Sequence, residues 1–332
     1  MAALRGFLFL AACMLACTPA DAQSQIELSL PVACDTASPC MVQNYVDHDR
    51  GPGVRDYACR AATYDAHDGT DFRLGAADAT AVDVIAAAPG KVKGVRDGVA
   101  DIFVRDGGKE GVKGRECGNG LVIDHGGGWE TQYCHMRHAS LAVRPGDTVV
   151  RGQRLGRVGF SGLADFAHLH LTVRYKGAAV DPFLYPAPED SCATDPATAN
   201  GLWDAPAREA LRYLDGQIIG AGFSPAALQI GDLERSAKPA APTPESPRLL
   251  FFVRAMNMRA NDRLRIHVTG PAAFAADATT EPLDRHKAIY LGYSGKALKA
   301  ARWPAGDYVG VGEVLRDGAI ISEMTASLTL AP

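Results

Sequence analysis

Apolar and polar positions alternate along most of this chain, and a period of two marks strands rather than helices. Residues 167–175 show it best. Leu169, Leu171, Val173 and Tyr175 would face one way, and His168, His170, Thr172 and Arg174 the other, as on a half-buried strand. Short runs of the same kind, broken by turn residues, fill residues 80–160. Residues 82–88 lead into Pro89-Gly90, residues 91–95 alternate, and residues 143–147 and 155–159 are further turn-and-strand pieces. Residues 121–124, the turn Gly126-Gly127-Gly128 and residues 131–136 predict a hairpin that puts Tyr133 and His135 on one face.

Residues 206–214 predict a short connecting helix, and the proline-rich residues 237–247 an extended linker. Beyond it, strands are expected at 249–255, 264–269, 287–293, 307–314 and 320–330, with turns at Pro304-Ala305-Gly306 and Arg316-Asp317-Gly318. That spacing fits a small immunoglobulin-like β-sandwich. The fold class expected for the whole is therefore mainly β. The domains expected are a signal peptide over 1–22, a first domain over 23–200 with a disulfide-tied N-terminal segment, a connector and linker over 201–247, and the sandwich over 248–332.

Composition adds less. Hydrophobic residues make up 47%, charged residues 22%, and the formal net charge is −4. No basic stripe points to nucleic acid. Arg5, the apolar residues 6–16 and Ala20-Asp21-Ala22 read as a secretory signal cleaved after Ala22, which places the mature protein in the periplasm or outside the cell. A lipoprotein signal through Cys17 is the competing reading, but Leu15 sits where a small residue is usual. No later stretch is long and apolar enough for a transmembrane helix. Oligomeric state is not legible.

Eight cysteines become six once Cys13 and Cys17 leave with the signal. An even number in an oxidising compartment reads as disulfides. Cys117 and Cys134 flank the hairpin and are expected to pair. The partners of Cys34, Cys40, Cys59 and Cys192 stay open. A Cys134 nucleophile would have to remain reduced outside the cytoplasm, which argues against it.

Three segments carry candidate chemistry. His168 and His170 project side by side from one strand face. His67 and Asp71 lie four apart, with Gly69 and Thr70 favouring a strand end and turn over a helix. His135 stands on the third. Taken singly, each could be a solvated or structural feature; together they aim imidazoles and a carboxylate at one place. His267 and His286 have no such companions.

The order of these motifs resembles the lysostaphin/LytM-type zinc endopeptidases, which carry H-x-x-x-D, a lone His before a hydrophobic residue, and H-x-H. The resemblance covers residues 55–185. It implies a barrel-like antiparallel sheet of duplicated hybrid-motif type, related to biotinyl-carrier folds. It also implies zinc held by His67, Asp71 and His170, with His135 and His168 as catalytic residues that move protons and steady an oxyanion. Which of the two does which is not readable. The implied reaction is hydrolysis of peptide bonds, in peptidoglycan stem-peptide cross-links or in Gly-rich peptides. A catalytically silent LytM-type adaptor that binds cell wall or activates an amidase is the alternative, and a structural zinc protein a further one.

Residues 23–60 are expected to form a disulfide-tied cap. An inhibitory segment offering His48 or Asp49 as a fourth ligand is the competing reading. Residues 106–111 are expected as an exposed loop at the rim of the groove.

Overall fold

The structure is a computed structural model that describes residues 25–34, 39–74, 79–187, 191–193, 195–235 and 239–332. The expected signal segment, with Cys13 and Cys17, lies outside the described residues, as do residues 237 and 238 of the proline-rich stretch. In chain order the first part holds β1 (Cys40–Asn44), β2 (Thr70–Leu74), β3 (Asp83–Ile85), β4 (Gly90–Arg96), the one-turn helix α1 (Val104–Gly107), β5 (Asn119–Gly126), β6 (Trp129–Met136), β7 (Thr148–Val149), β8 (Arg154–Arg157), β9 (His168–Tyr175) and β10 (Ala178–Val180). The expected antiparallel sheet is present. Its strands run β1-β2-β9-β6-β5-β4-β7, with β10 also paired to β9, and β3 and β8 form a separate two-stranded sheet.

Leu169, Leu171 and Val173 of β9 enter one core with Leu121, Ile123, Tyr133 and Phe72, as their parity requires. The opposite face of β9 departs from the half-buried expectation. His168, His170 and Thr172 are buried as well, because loops and the second half of the chain roof that face.

α2 (Ala205–Ala210) follows, capped by Asp204, whose carboxylate accepts the Ala207 N–H. Then come β11 (Gln217–Ser224), α3 (Ile230–Arg235), β12 (Arg248–Met258), β13 (Arg263–Gly270), β14 (Phe274–Thr279), β15 (Lys287–Ala297), β16 (Gly306–Arg316) and β17 (Ala319–Leu330). These strands make a β11-β12-β15 sheet and a β14-β13-β16-β17 sheet around a second core of Phe251, Val253, Ile266, Val268 and Tyr308.

The sequence reading expected five of these seven strands. It missed β11, which lies inside the stretch expected as connector, and β14. Gly- and Ala-rich QIIGAGFS and FAADAT carry too little β-branched alternation to announce themselves. The fourth strand of the sandwich pairs with the third, whereas an immunoglobulin constant domain sets it beside the fifth.

Disulfides join Cys34 to Cys40, Cys59 to Cys192 and Cys117 to Cys134. Among the described residues no helix is long and apolar enough to cross a membrane.

Candidate metal centre

The sheet order puts β2 and β6 on either side of β9, so the three motifs meet in adjacent strands. Asp71 lies directly opposite His170 in register, and Arg73 opposite His168. Directly opposed residues share a face, so the β2 carboxylate and the β9 imidazoles converge. His67 arrives from the turn before β2. Gly69 keeps that turn clear, because a Cβ there would fall 2.5 Å from His170 Nε2.

His135 reaches the site by a different route. Strand parity would place it with Tyr133, as the sequence reading had it. Tyr133 does point into the core, where its hydroxyl accepts the Ala87 N–H at 2.9 Å. A bulge separates the two residues. Asn119 pairs with Met136 and Leu121 with Tyr133, so Cys134 and His135 together face Gly120 alone. His135 adopts φ 61°, a left-handed conformation that non-glycine residues rarely take. Bulges re-aim side chains, and this one turns His135 out of the core toward His168, ring centroids 4.6 Å apart. Gly120 makes room: a Cβ there would sit 2.0 Å from the Tyr133 carbonyl oxygen. The His135 N–H donates to Cys117 O at 2.8 Å, beside the Cys117–Cys134 bond.

His67, Asp71 and His170 form a buried cluster able to hold a metal ion. His67 Nε2 is 3.1 Å from His170 Nδ1 and 3.3 Å from Asp71 Oδ1, which is 2.9 Å from His170 Nδ1. A tetrahedral zinc with bonds of about 2.0–2.1 Å sets its donor atoms about 3.3 Å apart. The donor set therefore fits such an ion in kind and in spacing.

Each imidazole has its other nitrogen committed. His67 Nδ1–H donates to Tyr45 O at 2.7 Å, His135 Nδ1–H to Ser161 O at 2.8 Å, and His168 Nδ1–H to Phe166 O at 2.8 Å. His170 Nε2–H is 3.0 Å from Thr172 Oγ1 and 3.4 Å from Asp68 Oδ1. Such outer partners fix the tautomer and the ring plane. In this way Nε2 of His67 and Nδ1 of His170 are left as the nitrogens that face Asp71.

Electrostatics follow from burial and crowding. Burial opposes the charge on Asp71, but His67, His168 and His170 outweigh it and hold the carboxyl well below its ordinary range. Burial, joined by the neighbouring imidazoles of His168 and His170, pushes His135 well down, so it is neutral near pH 7. Burial also opposes a charge on His170, yet Asp68 and Asp71 outweigh it and raise its pKa to about 9.

His48 and Asp49 stay apart from the cluster. His48 Nε2 lies 2.8 Å from Asp181 Oδ2, and Asp49 accepts the Gly51 N–H. The N-terminal strand supplies supporting groups instead. Asn44 Nδ2 donates to Asp71 Oδ2 at 2.8 Å, and the Tyr45 carbonyl holds His67. Sequence reasoning missed Asn44, Tyr45, Ser161 and Phe166, since nothing in their local pattern marks them. Thr172 was within reach, sharing the His168–His170 face by parity alone.

A cavity of about 380 Å³ reaches Asp71 and His168 and is lined also by Tyr64, Arg105, Lys109 and, from the sandwich half, Ile230 and Glu234. Residues 106–111 are exposed as short helical turns at this rim.

Part of the chain is similar to known proteins. Residues 65–182 match the model of peptidase family M23. The lipoprotein NlpD of Yersinia enterocolitica is 32% identical over 68 residues, 20% of this chain and 67% of that protein. The peptidoglycan DD-endopeptidase ShyA of Vibrio cholerae is 38% identical over 64 residues, 19% of this chain but 14% of its own length. The chain thus spans only a small part of that relative. A zinc-containing peptidase from Vibrio cholerae has a solved structure that covers 49% of this chain and 41% of its own, at 23% identity and a TM-score of 0.33.

Proposed function

The chain belongs to peptidase family M23, and from that premise we propose that it is a secreted or periplasmic zinc metalloendopeptidase acting on the peptide cross-links of peptidoglycan. The observation that carries the reading is the triangle of His67 Nε2, Asp71 Oδ1 and His170 Nδ1, each pair 2.9–3.3 Å apart, with the remaining ring nitrogens committed elsewhere. Likeness to ShyA, a peptidoglycan DD-endopeptidase, supports the choice of substrate. Three disulfides among the described residues suit an oxidising compartment.

His67, Asp71 and His170 would hold zinc, which when bound supplies a Lewis acid and an acidified water. The chain's own residues do the rest. Asp71 offers a full negative charge to the ion, secured by the surrounding imidazoles. His135 and His168 have Nδ1–H tied to carbonyls, so each presents Nε2 as a base in the neutral form. One can take a proton from the attacking water, and the imidazolium formed can return it to the departing amine. The other can donate to the carbonyl oxygen as negative charge grows there. Burial of both rings strengthens these interactions by excluding bulk water.

The test is digestion of intact peptidoglycan sacculi by the mature protein beside His170→Ala and a chelated sample, with products read by mass spectrometry. Release of uncrosslinked stem peptides by the untreated wild type alone is the expected result. Zinc binding without release would favour the adaptor reading.

A further inference from the structure

The C-terminal half touches the catalytic histidines through a relay of packed groups. Glu234 on α3 takes both terminal nitrogens of Arg73, one on each carboxylate oxygen at 3.0 Å. Arg254 Nη1 of β12 lies 3.4 Å from the same carboxylate. Both Arg73 and Glu234 are buried side chains, 6% and 7% exposed. The Arg73 Nε donates to Gln43 Oε1, and Gln43 O accepts from Asn257 Nδ2 of β12 at 2.9 Å. Every donor of the planar Arg73 head named here is therefore assigned, and the fork geometry sets its plane.

That plane meets the site. The Arg73 guanidinium carbon is 4.0 Å from the centre of the Phe166 ring. Phe166 stacks on the His168 imidazole at 4.2 Å and 22°. The Phe166 carbonyl also accepts the His168 Nδ1–H. Phe166 thus holds His168 twice, by ring and by backbone, and Arg73 holds the Phe166 ring.

We infer that Glu234 is a positioning residue of the hydrolytic site: through Arg73 and Phe166 it sets the plane of the His168 ring, which makes the C-terminal sandwich part of the catalytic unit. The kinetic part of this inference rests on the peptidase reading; the structural part does not. Proton transfer depends steeply on orientation, so a small rotation of His168 costs turnover rather than binding. Were α3 only a wall of the cavity beside Ile230, its alteration would change substrate binding instead.

The experiment uses the full zinc-loaded chain as Glu234→Gln, which keeps the size of the side chain and removes its charge. With a soluble cross-linked disaccharide-peptide dimer as substrate, kcat is expected to fall about tenfold or more while KM stays within about twofold. Zinc affinity should be unchanged. In spectra of imidazole 15N labels, the His168 resonances should move. Phe166→Leu leaves the ion pair intact and should give the same pattern, which guards against Glu234→Gln merely loosening the two halves. An unchanged kcat with unmoved His168 resonances overturns the inference, as does a raised KM with kcat preserved. If the wild type does not cleave the dimer, the peptidase reading fails alone, and the His168 resonances still decide this one.

Discussion

Asn44 donates to Asp71 Oδ2 across 2.8 Å, from a strand anchored by the Cys34–Cys40 bond. The contact leaves Asp71 Oδ1 as the oxygen facing His67 and His170. Asn44→Ala should therefore lower zinc affinity about tenfold to a hundredfold, the usual cost of losing an outer partner of a ligand. Competition with a chromophoric chelator measures it. An unaltered affinity would show that the strand only covers the site.

The proposed division of labour among the histidines predicts two different losses. His170→Ala should lose metal and activity together. His168→Ala should keep most of the metal and lose turnover by about a hundredfold or more. Metal content by elemental analysis beside kinetics separates them, and equal metal loss in both would undo the assignment.

The raised His170 pKa gives a signed pH dependence. In metal-free protein its ordinary value of 6.5 is lifted to about 9. The resulting stability is complete below about pH 6.5 and is lost as the pH climbs through 9. Zinc needs that Nδ1 free of its proton, so stabilisation by zinc should grow across the same window. Thermal melts with chelator and with zinc from pH 6 to 9.5 should diverge, the chelated curve falling and the difference widening.

Gly120→Ala puts a Cβ where the Tyr133 carbonyl already lies, 2.0 Å away. The bulge must shift or the strands part, at a cost of about 3 kcal/mol or more. Urea denaturation would show it. Because the same bulge aims His135, the surviving folded protein should also turn over more slowly with its zinc retained.

Some of this was legible before any coordinates. The period of two in residues 167–175 places Leu169 and Leu171 inside and His168 and His170 together, since side-chain direction in a strand depends only on parity. The order of His67, Asp71, His135, His168 and His170 was enough to name the family, and the hairpin around residues 121–136 brought Cys117 toward Cys134. The sequence alone thus determined the strand-rich character, the five side chains worth watching and the presence of a second β-unit. Tertiary structure decided how those side chains meet. Parity misplaced His135, because a bulge facing Gly120 adds one residue and reverses its direction. Asn44, the Tyr45 carbonyl and Phe166 join the site through contacts that strand pairing and loop paths create, and no local pattern encodes them. Glu234 stands 161 residues from Arg73 and meets it only because the parts of the chain built on two different cores pack together. Local periodicity reports which way a side chain points within its own strand; which groups stand opposite it is fixed by the packing of the whole chain.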